Sequence, residues 1–366
     1  MKNSRFISRF FYSLVVISLF YMPAFAQQDS VKTKRLLVLP VVSKSIETGF
    51  SFGAVAAFTF RMSRKDSLSR TSNLQALALY STKKQLVTAI NGSQYFHKER
   101  FILNEQISYS SYPDKFWGLG KNTPDSAEEP YKFQQYYIYL HLLRKIVPHF
   151  FVGVVYERQK VWDIDYVPGG AFDKEDVDGR HGYTVSGLGG SLTFDNRNNA
   201  FAPDHGFFGQ LFINHFDKFW GSDANYTNIV MDLRKYFHLK RDRVLALQLF
   251  SFNNTGLEVP IRSLAAFGGA NRMRGFYEGR YRDLCQLLLQ SEYRFPVYRR
   301  FGAVVFGGTG SVASGWGDYA LNDLRYSFGA GIRYALDKRE RLNIRVDYGI
   351  AGGKNNGFYL QIGEAF

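Results

Sequence analysis

The sequence predicts an all-β protein: a transmembrane, antiparallel, up-and-down β-barrel of sixteen strands. Three observations carry that expectation. The chain is rich in aromatic residues (17%) and has 34 glycines, yet its mean hydropathy is only −0.23. No uninterrupted apolar run after the first 26 residues is long enough for a membrane helix, which needs about 18 or more residues. Segment after segment alternates apolar and polar residues with a period of two. A membrane barrel wants that combination, because one strand face meets lipid and the other a polar lumen. The competing class, a soluble periplasmic β-protein, accounts for the alternation but not for the aromatic excess.

The first 26 residues read as a secretory signal peptide. Lys2, Arg5 and Arg9 precede an apolar run from Phe10 to Tyr21, and Ala24-Phe25-Ala26 has the small-x-small form of a cleavage site. Removing those three cations lowers the formal net charge from +14 to +11. Residues 27–35 read as a short periplasmic segment, too few for a folded module, and 36–366 as the barrel. The single cysteine, Cys285, cannot form an internal disulfide.

Alternation is clearest toward the C-terminus. In "GFYLQIGEAF", Phe358, Leu360, Ile362 and Phe366 share one face, while Tyr359, Gln361, Gly363 and Ala365 share the other. In "RLNIRVDYGI", Leu342, Ile344, Val346, Tyr348 and Ile350 oppose Asn343, Arg345 and Asp347. In "RYSFGAGIRYAL", Phe328 and Ile332 oppose Ser327 and Arg333; in "CQLLLQSEYRF", Leu287 and Leu289 oppose Gln290, Glu292 and Arg294. The polar members, Glu292, Arg294, Arg333, Arg345 and Asp347, are expected to face the lumen. A soluble edge strand ending like this would expose a row of large apolar groups to water.

Counted back from the end, strands are expected at 356–366, 341–350, 324–337, 300–312, 283–295, 243–254, 223–238, 206–219, 183–197, 148–160, 131–145, 101–112, 85–96, 71–81 and 50–61. Fifteen is odd, and both ends of such a barrel normally lie in the periplasm, so Leu36–Val42 supplies the sixteenth despite Pro40. With that count the connections 113–130, 161–182, 255–282 and 313–323 fall on the extracellular side. Short ones near 146, 198–205, 239–242, 296–299 and 338–340 fall on the periplasmic side. The charged turn at 62–70 is longer than the pattern favours.

The longest connection contains "FGGANRMRGFYEGRYRD", with Arg272, Arg274, Arg280 and Arg282 bracketed by glycines. With the following "LLLQSEYRFPVYRRFGAVVFGGTG", it resembles the lid-loop signature of the BamA/TamA family, also called the bacterial surface antigen or two-partner secretion superfamily. The matching residues are Arg274-Gly275-Phe276, then Ser291-Glu292-Tyr293-Arg294 and Pro296. Asp195, Arg197, Pro203 and Gly206 are similar to the family's turn motif, and "YSFGAGIRYAL" and "DKFWGLGKNT" to a strand and a loop of its members. "FYLQIGEAF" is similar to its terminal aromatic assembly signal, carried by Phe358, Leu360, Ile362 and Phe366.

The resemblance implies that the extracellular loop folds into the lumen and that Arg274 is held by wall residues. Glu292 is a partner on the face assigned to the lumen by alternation alone; a desolvated guanidinium needs such a carboxylate. Gly275 would let the backbone pass close to the wall, and Phe276 would anchor the tip. The remaining arginines are expected on a basic rim. Asp195 and Arg197 join the lumen-facing set. The sequence departs from the family at Gly308, where an acid is usual in a Phe-x-Asp-x-Gly pattern; Asp347 is the candidate substitute. It departs again in the absence of POTRA repeats, so a separate periplasmic partner is expected in their place.

No enzyme site is expected. The seven histidines show no metal-ligand spacing, "AGGKNNG" lacks the P-loop spacing, and no Gly-x-Ser-x-Gly elbow occurs. The nearest enzymatic rival is an outer-membrane phospholipase built on His141 or His215. No cofactor and no nucleic acid are expected. The family points to a non-enzymatic outer-membrane barrel of a Gram-negative bacterium, acting in outer-membrane protein assembly, protein translocation or envelope biogenesis. Its expected partners are membrane lipid and lipopolysaccharide, the assembly machinery that reads the terminal signal, and a polypeptide substrate. A passive porin with Arg333, Arg345 and Glu292 along its pore, and a surface scaffold or adhesin, stay open as alternatives.

Overall fold

The computed structural model describes residues 34–366 apart from 63–68, 70–71, 176, 257, 338–340 and 354. The expected signal peptide and most of the charged 62–70 turn lie outside the described residues.

The wall strands follow in chain order: β1 (Lys34–Ser45), β2 (Gly49–Phe60), β3 (Ser72–Ser81), β4 (Leu86–Phe96), β5 (Phe101–Phe116), β6 (Glu129–Val147), β7 (Phe150–Asp165), β8 (Tyr183–Asp195), β9 (Gly206–Phe216), β10 (Tyr226–Leu239) and β11 (Arg243–Thr255). A short hairpin, β12 (Ala265–Phe267) and β13 (Tyr281–Asp283), interrupts the wall, which resumes with β14 (Cys285–Tyr298), β15 (Phe301–Ala313), β16 (Arg325–Asp337), β17 (Leu342–Ala351) and β18 (Asn356–Ile362). Sixteen strands close a barrel in which every neighbour is antiparallel and β18 returns to β1.

The expected fold class and strand count therefore hold, and the physical cause is the alternation. Leu289, Val305, Phe328, Ile332 and Tyr348 are all about half exposed, on the outer face. Gln290, Glu292, Arg333, Arg345 and Asp347 alternate with them and are buried inside. Closure gives every wall strand two neighbours, which removes the open edges that a sheet in hydrocarbon could not tolerate.

Three strands run further than alternation indicated. β5 and β6 continue as a paired ribbon up to Phe116↔Glu129, and β7 follows to Asp165. Phe116 and Val161 on those extensions are buried in a cluster with Tyr131 and Phe133 of β6 and with Phe172 of the short helix α1 (Ala171–Lys174), which caps it. The long connections 117–128, 166–182, 256–284 and 314–324 share one end of the barrel. The short turns 148–149, 240–242 and 299–300 share the other, with 196–205.

Two further features depart from the reading. Among the described residues, the seam between β1 and β18 is joined at one register position, Lys44↔Leu360, while the next shortest ladder, β17–β18, has seven. At seven residues β18 is the shortest wall strand, and it ends at Ile362 rather than at 366. Gly363 turns the chain with φ +83°, and Glu364, Ala365 and Phe366 are buried. Phe358, Leu360 and Ile362 do face outward, but Phe366 does not join them. Strict alternation would have placed Glu364 on the same outer face, and an ionised carboxylate in hydrocarbon costs several kcal/mol. Leaving the wall at Gly363 avoids that.

Candidate functional site

The connection 256–284 holds the site. Its β12–β13 hairpin pairs Ala265 to Phe267 with Tyr281 to Asp283, segments too short for periodicity to reveal. Between them, Phe267, Phe276 and Tyr281 pack edge to face with ring centroids 5.4 to 6.1 Å apart. They belong to a cluster that includes Phe250, Leu288 and Val312 from the barrel wall, so Phe276 is anchored on the wall's inner side chains.

Arg274 is the centre of the arrangement. Its side chain is 1% exposed, and one nitrogen donates to Glu292 while Nη1 donates to Asp347 Oδ2 at 2.5 Å. The guanidinium lies 3.5 Å from the centroid of the Phe306 ring. The loop backbone is held as well: Ser327 Oγ donates to the Arg274 carbonyl at 2.7 Å, and the Gly275 N–H donates to Tyr359 Oη at 3.0 Å.

Two glycines make this approach sterically feasible. Gly275 has φ +113°, and a Cβ there would stand 3.0 Å from the Ile350 carbonyl carbon. On the wall, a Cβ at Gly349 would sit 2.6 Å from the Arg274 carbonyl. Neither position can carry a side chain without separating the two backbones.

Around Arg274 the sequence-predicted charges converge. Arg294 Nε donates to Glu292 Oε2 at 2.8 Å. Arg333 Nη1 donates to Asp347 Oδ1 at 2.5 Å, and Arg345 Nη1 to Asp347 Oδ2 at 3.3 Å. Arg345 also bonds Asn271 of the loop and Gln361 of β18. Asp347 thus stands where Arg274 needs a second acid. Gly308 has a different role: a Cβ there would meet Met273 Sδ and Gln290 Cβ at 3.0 Å each, so its lack of a side chain makes room for the loop. Asp195 and Arg197 lie apart from this cluster, in their own pair at 2.8 Å near the short-turn end, with Arg197 over Phe208.

The remaining loop arginines do not form a solvated rim. Arg280 and Arg282 are each 2% exposed. Arg280 Nη2 pairs with Asp125 at 2.7 Å and donates to the Thr123 carbonyl at 2.8 Å. Arg282 Nη2 bonds Asp114 Oδ2 at 3.1 Å. Asp114 also accepts from Arg262 at 2.7 Å and from the hydroxyls of Tyr131 and Tyr277, each at 2.9 Å. Arg272 stacks on Phe250 at 4.0 Å. The loop is therefore fastened at two levels: to β14 and β17 by Arg274, and at the long-connection end by Arg262 and Arg282, which bind Asp114 of β5, and by Arg280, which binds the 117–128 connection. Sequence reasoning missed Asp114, although an acid inside "SYPDKFWGLG" at the end of an alternating strand was the available sign.

A third fastening is acidic. The Glu278 N–H donates to Glu47 Oε1 at 3.0 Å, linking the loop to the β1–β2 turn beside the seam. Burial, and then the neighbouring Glu47 charge, push the Glu278 carboxyl up to about 8; burial raises Glu47 too. Of the two histidines considered for lipase chemistry, His141 is inside, bonded to Ser191 Oγ at 2.7 Å, and His215 lies apart, bonded to Thr227.

The fold has solved counterparts. BamA from Haemophilus ducreyi lacking POTRA domains 1–3 superposes with a TM-score of 0.60 at 16% identity, over 89% of this chain and 69% of that one. CdiB from Acinetobacter baumannii gives 0.58 at 12% identity, over 91% of this chain and 60% of its own. This chain thus spans less than two thirds of CdiB. At these identities the likeness is one of fold. Comparison with curated protein sequences finds no significant match. Residues 27–366 match the Omp85 superfamily domain, and the chain belongs to the Omp85 superfamily.

Proposed function

We propose that this protein is a non-enzymatic outer-membrane barrel of the BamA type in a Gram-negative bacterium, inserting or translocating polypeptides through a lid-gated lumen and a lateral seam. The observation that carries the reading is the β1–β18 junction. A single register pair joins these strands, so separating them forfeits far fewer ladder hydrogen bonds than opening any other junction. Pro40 lies in β1 and brings no N–H to that edge. Once parted, the edges of β1 and β18 offer unpaired backbone groups to an incoming strand, the chemistry of β-augmentation.

In this reading the loop 256–284 is the lid. Arg274 holds it to β14 and β17, and Glu278 holds it to the turn next to β1, so loop and seam are mechanically linked. Phe358, Leu360 and Ile362 act as the C-terminal assembly signal, lipid and lipopolysaccharide surround the wall, and a separate periplasmic partner delivers the polypeptide.

The test is a disulfide across the seam. Lys44→Cys with Leu360→Cys joins the paired positions, in a Cys285→Ser background that removes the buried free thiol. In proteoliposomes, insertion of an unfolded barrel client should stop in the oxidised form and return on reduction. Equal insertion in both redox states would refute the lateral route. A steady, anion-selective conductance of the unmodified barrel would favour the porin instead.

A further inference from the structure

The charge of the barrel is lopsided, and not toward the end that holds the arginine-rich loop. The four long connections 117–128, 166–182, 256–284 and 314–324 contain eight Lys and Arg against eleven Asp and Glu. At the other end, the short turns with their flanks (97–100, 144–149, 196–205, 240–243 and 299–300) contain ten against three. Six exposed cations fall on four consecutive wall strands, β10, β11, β14 and β15. Lys235, Lys240, Arg241 and Arg243 belong to the first hairpin, and Arg299 and Arg300 to the second; Asp242 is the acid interspersed with them. Among the described residues none of the six is ion-paired, since Asp204 is held by Arg341 and Asp195 by Arg197.

Strand phase fixes which way these cations point. On β10, Lys235 shares the outer face with Leu233 and Phe237, while Arg234 and Tyr236 are buried inside. Its ammonium stands 5.5 Å from the centroid of the Phe237 ring, one step nearer the turn. On β11, Arg243 has the outward phase of Leu245 and Leu247, and Val244 and Ala246 are buried on the lumen side. Arg299 lies over Tyr298 at 5.1 Å, and Tyr298 and Phe301 are 62% and 49% exposed. Arg300 donates to the carbonyls of Ala335 and Leu336 at 3.1 and 3.3 Å, where β16 ends. Outward rings in that position mark the boundary between hydrocarbon and headgroups. A lysine rooted in a lipid-facing wall extends its ammonium to the same level.

We propose that the β10–β11 and β14–β15 hairpin tips form a binding site for an anionic phospholipid of the leaflet at the short-turn end. Lys235, Arg243 and Arg299 hold the phosphodiester, and the acyl chains lie along Phe237, Leu245 and Phe301. A guanidinium offers paired N–H donors to phosphate oxygens, and here no carboxylate competes for them. A zwitterionic phospholipid brings an ammonium of its own that these cations repel, so the net charge of the headgroup decides. An acidic protein would approach the tips along the barrel axis and leave Lys235 and Arg243, which point sideways into the lipid, unused. The site lies apart from the β1–β18 seam and requires the barrel to sit in a membrane, not to insert proteins.

The test is fluorescence anisotropy of tail-labelled phosphatidylglycerol and phosphatidylcholine, each titrated with the folded barrel in detergent. The unaltered barrel should bind the glycerol lipid at least about ten-fold more tightly. Arg243→Gln with Arg299→Gln should weaken that binding about twenty-five-fold, roughly five-fold per cation removed, and leave the choline lipid unchanged. Lys174→Gln with Lys218→Gln removes the same charge at the other end and should change neither. Equal binding of the two lipids overturns the proposal, and so does an equal loss from both substituted pairs, which would reduce the effect to overall net charge. An oligoglutamate peptide bound more tightly than phosphatidylglycerol would assign the tips to an acidic protein and overturn it as well. Should the substituted chain fail to fold, the unaltered one still decides: raising salt from about 0.1 to about 0.5 M must weaken the glycerol lipid and spare the choline lipid.

Discussion

Replacing Arg274 by alanine tests the loop lock directly, and the charges around it set the size of the effect. Four guanidiniums (Arg274, Arg294, Arg333, Arg345) meet three side-chain carboxylates (Glu292, Asp347, Glu364) in one buried cluster, and Arg294 also bonds the C-terminal Phe366 oxygen. Glu292 keeps Arg294, and Asp347 keeps Arg333 and Arg345, so no carboxylate is orphaned. The cost therefore falls at the lower end of the range for breaking a buried ion pair, about 3 kcal/mol. That is roughly a hundred-fold fall in the ratio of closed to open loop. Glu292→Gln should cost more, toward ~5 kcal/mol, because two buried guanidiniums, Arg274 and Arg294, share its charge. Planar-bilayer conductance reads the outcome: low in the unaltered barrel, sharply raised in Arg274→Ala. A conductance already large and unchanged by the substitution would refute the lock.

Gly349→Ala leaves every charge in place but puts a methyl against the Arg274 carbonyl; it should open the loop at a cost of about 1–3 kcal/mol, seen as faster protease cleavage within 256–284. Asp114→Ala removes the acceptor shared by Arg262, Arg282, Tyr131 and Tyr277, and should free the upper half of the loop while Arg274 stays bound, which hydrogen exchange resolves segment by segment. Glu278 gives a pH dependence. Its carboxyl titrates near 8 in the closed loop against an ordinary value of 4.5, so the stabilisation from its neutral form is complete below about 4.5 and is lost as pH rises through about 8. Loop exchange should accelerate between about pH 4.5 and 8, and Glu278→Gln should flatten that profile although Glu47, Arg262, Arg272, Arg282 and Lys83 remain.

The wall was legible because its two faces meet different solvents. Each strand must alternate apolar and polar residues, and that period survives in the sequence whatever the neighbouring strand is. The inward placement of Glu292, Arg333, Arg345 and Asp347 follows from it, and so do fifteen of the strands; the sixteenth came from the even count that a closed barrel with both ends on one side requires. Arg274 with Glu292 was legible because the family resemblance implied an inward loop held by that arginine, and alternation independently put a carboxylate on the inner face of the next wall strand.

Tertiary structure alone decided the rest. Arg280 and Arg282 find Asp125 and Asp114 more than 150 residues earlier in the chain, a pairing no local pattern records, so they looked like a solvated rim. The extension of β5 and β6 depends on a cap from the 166–182 connection, not on their own periodicity. The tail shows the limit of alternation most clearly. Phe366 keeps the phase of Phe358, Leu360 and Ile362, but Gly363 breaks the strand and Glu364 is drawn to Arg333, so the final aromatic ring is buried against Tyr236 instead of facing lipid. A period determines which face a residue takes while the strand lasts. Where the strand ends is determined by charges that only the closed barrel brings together.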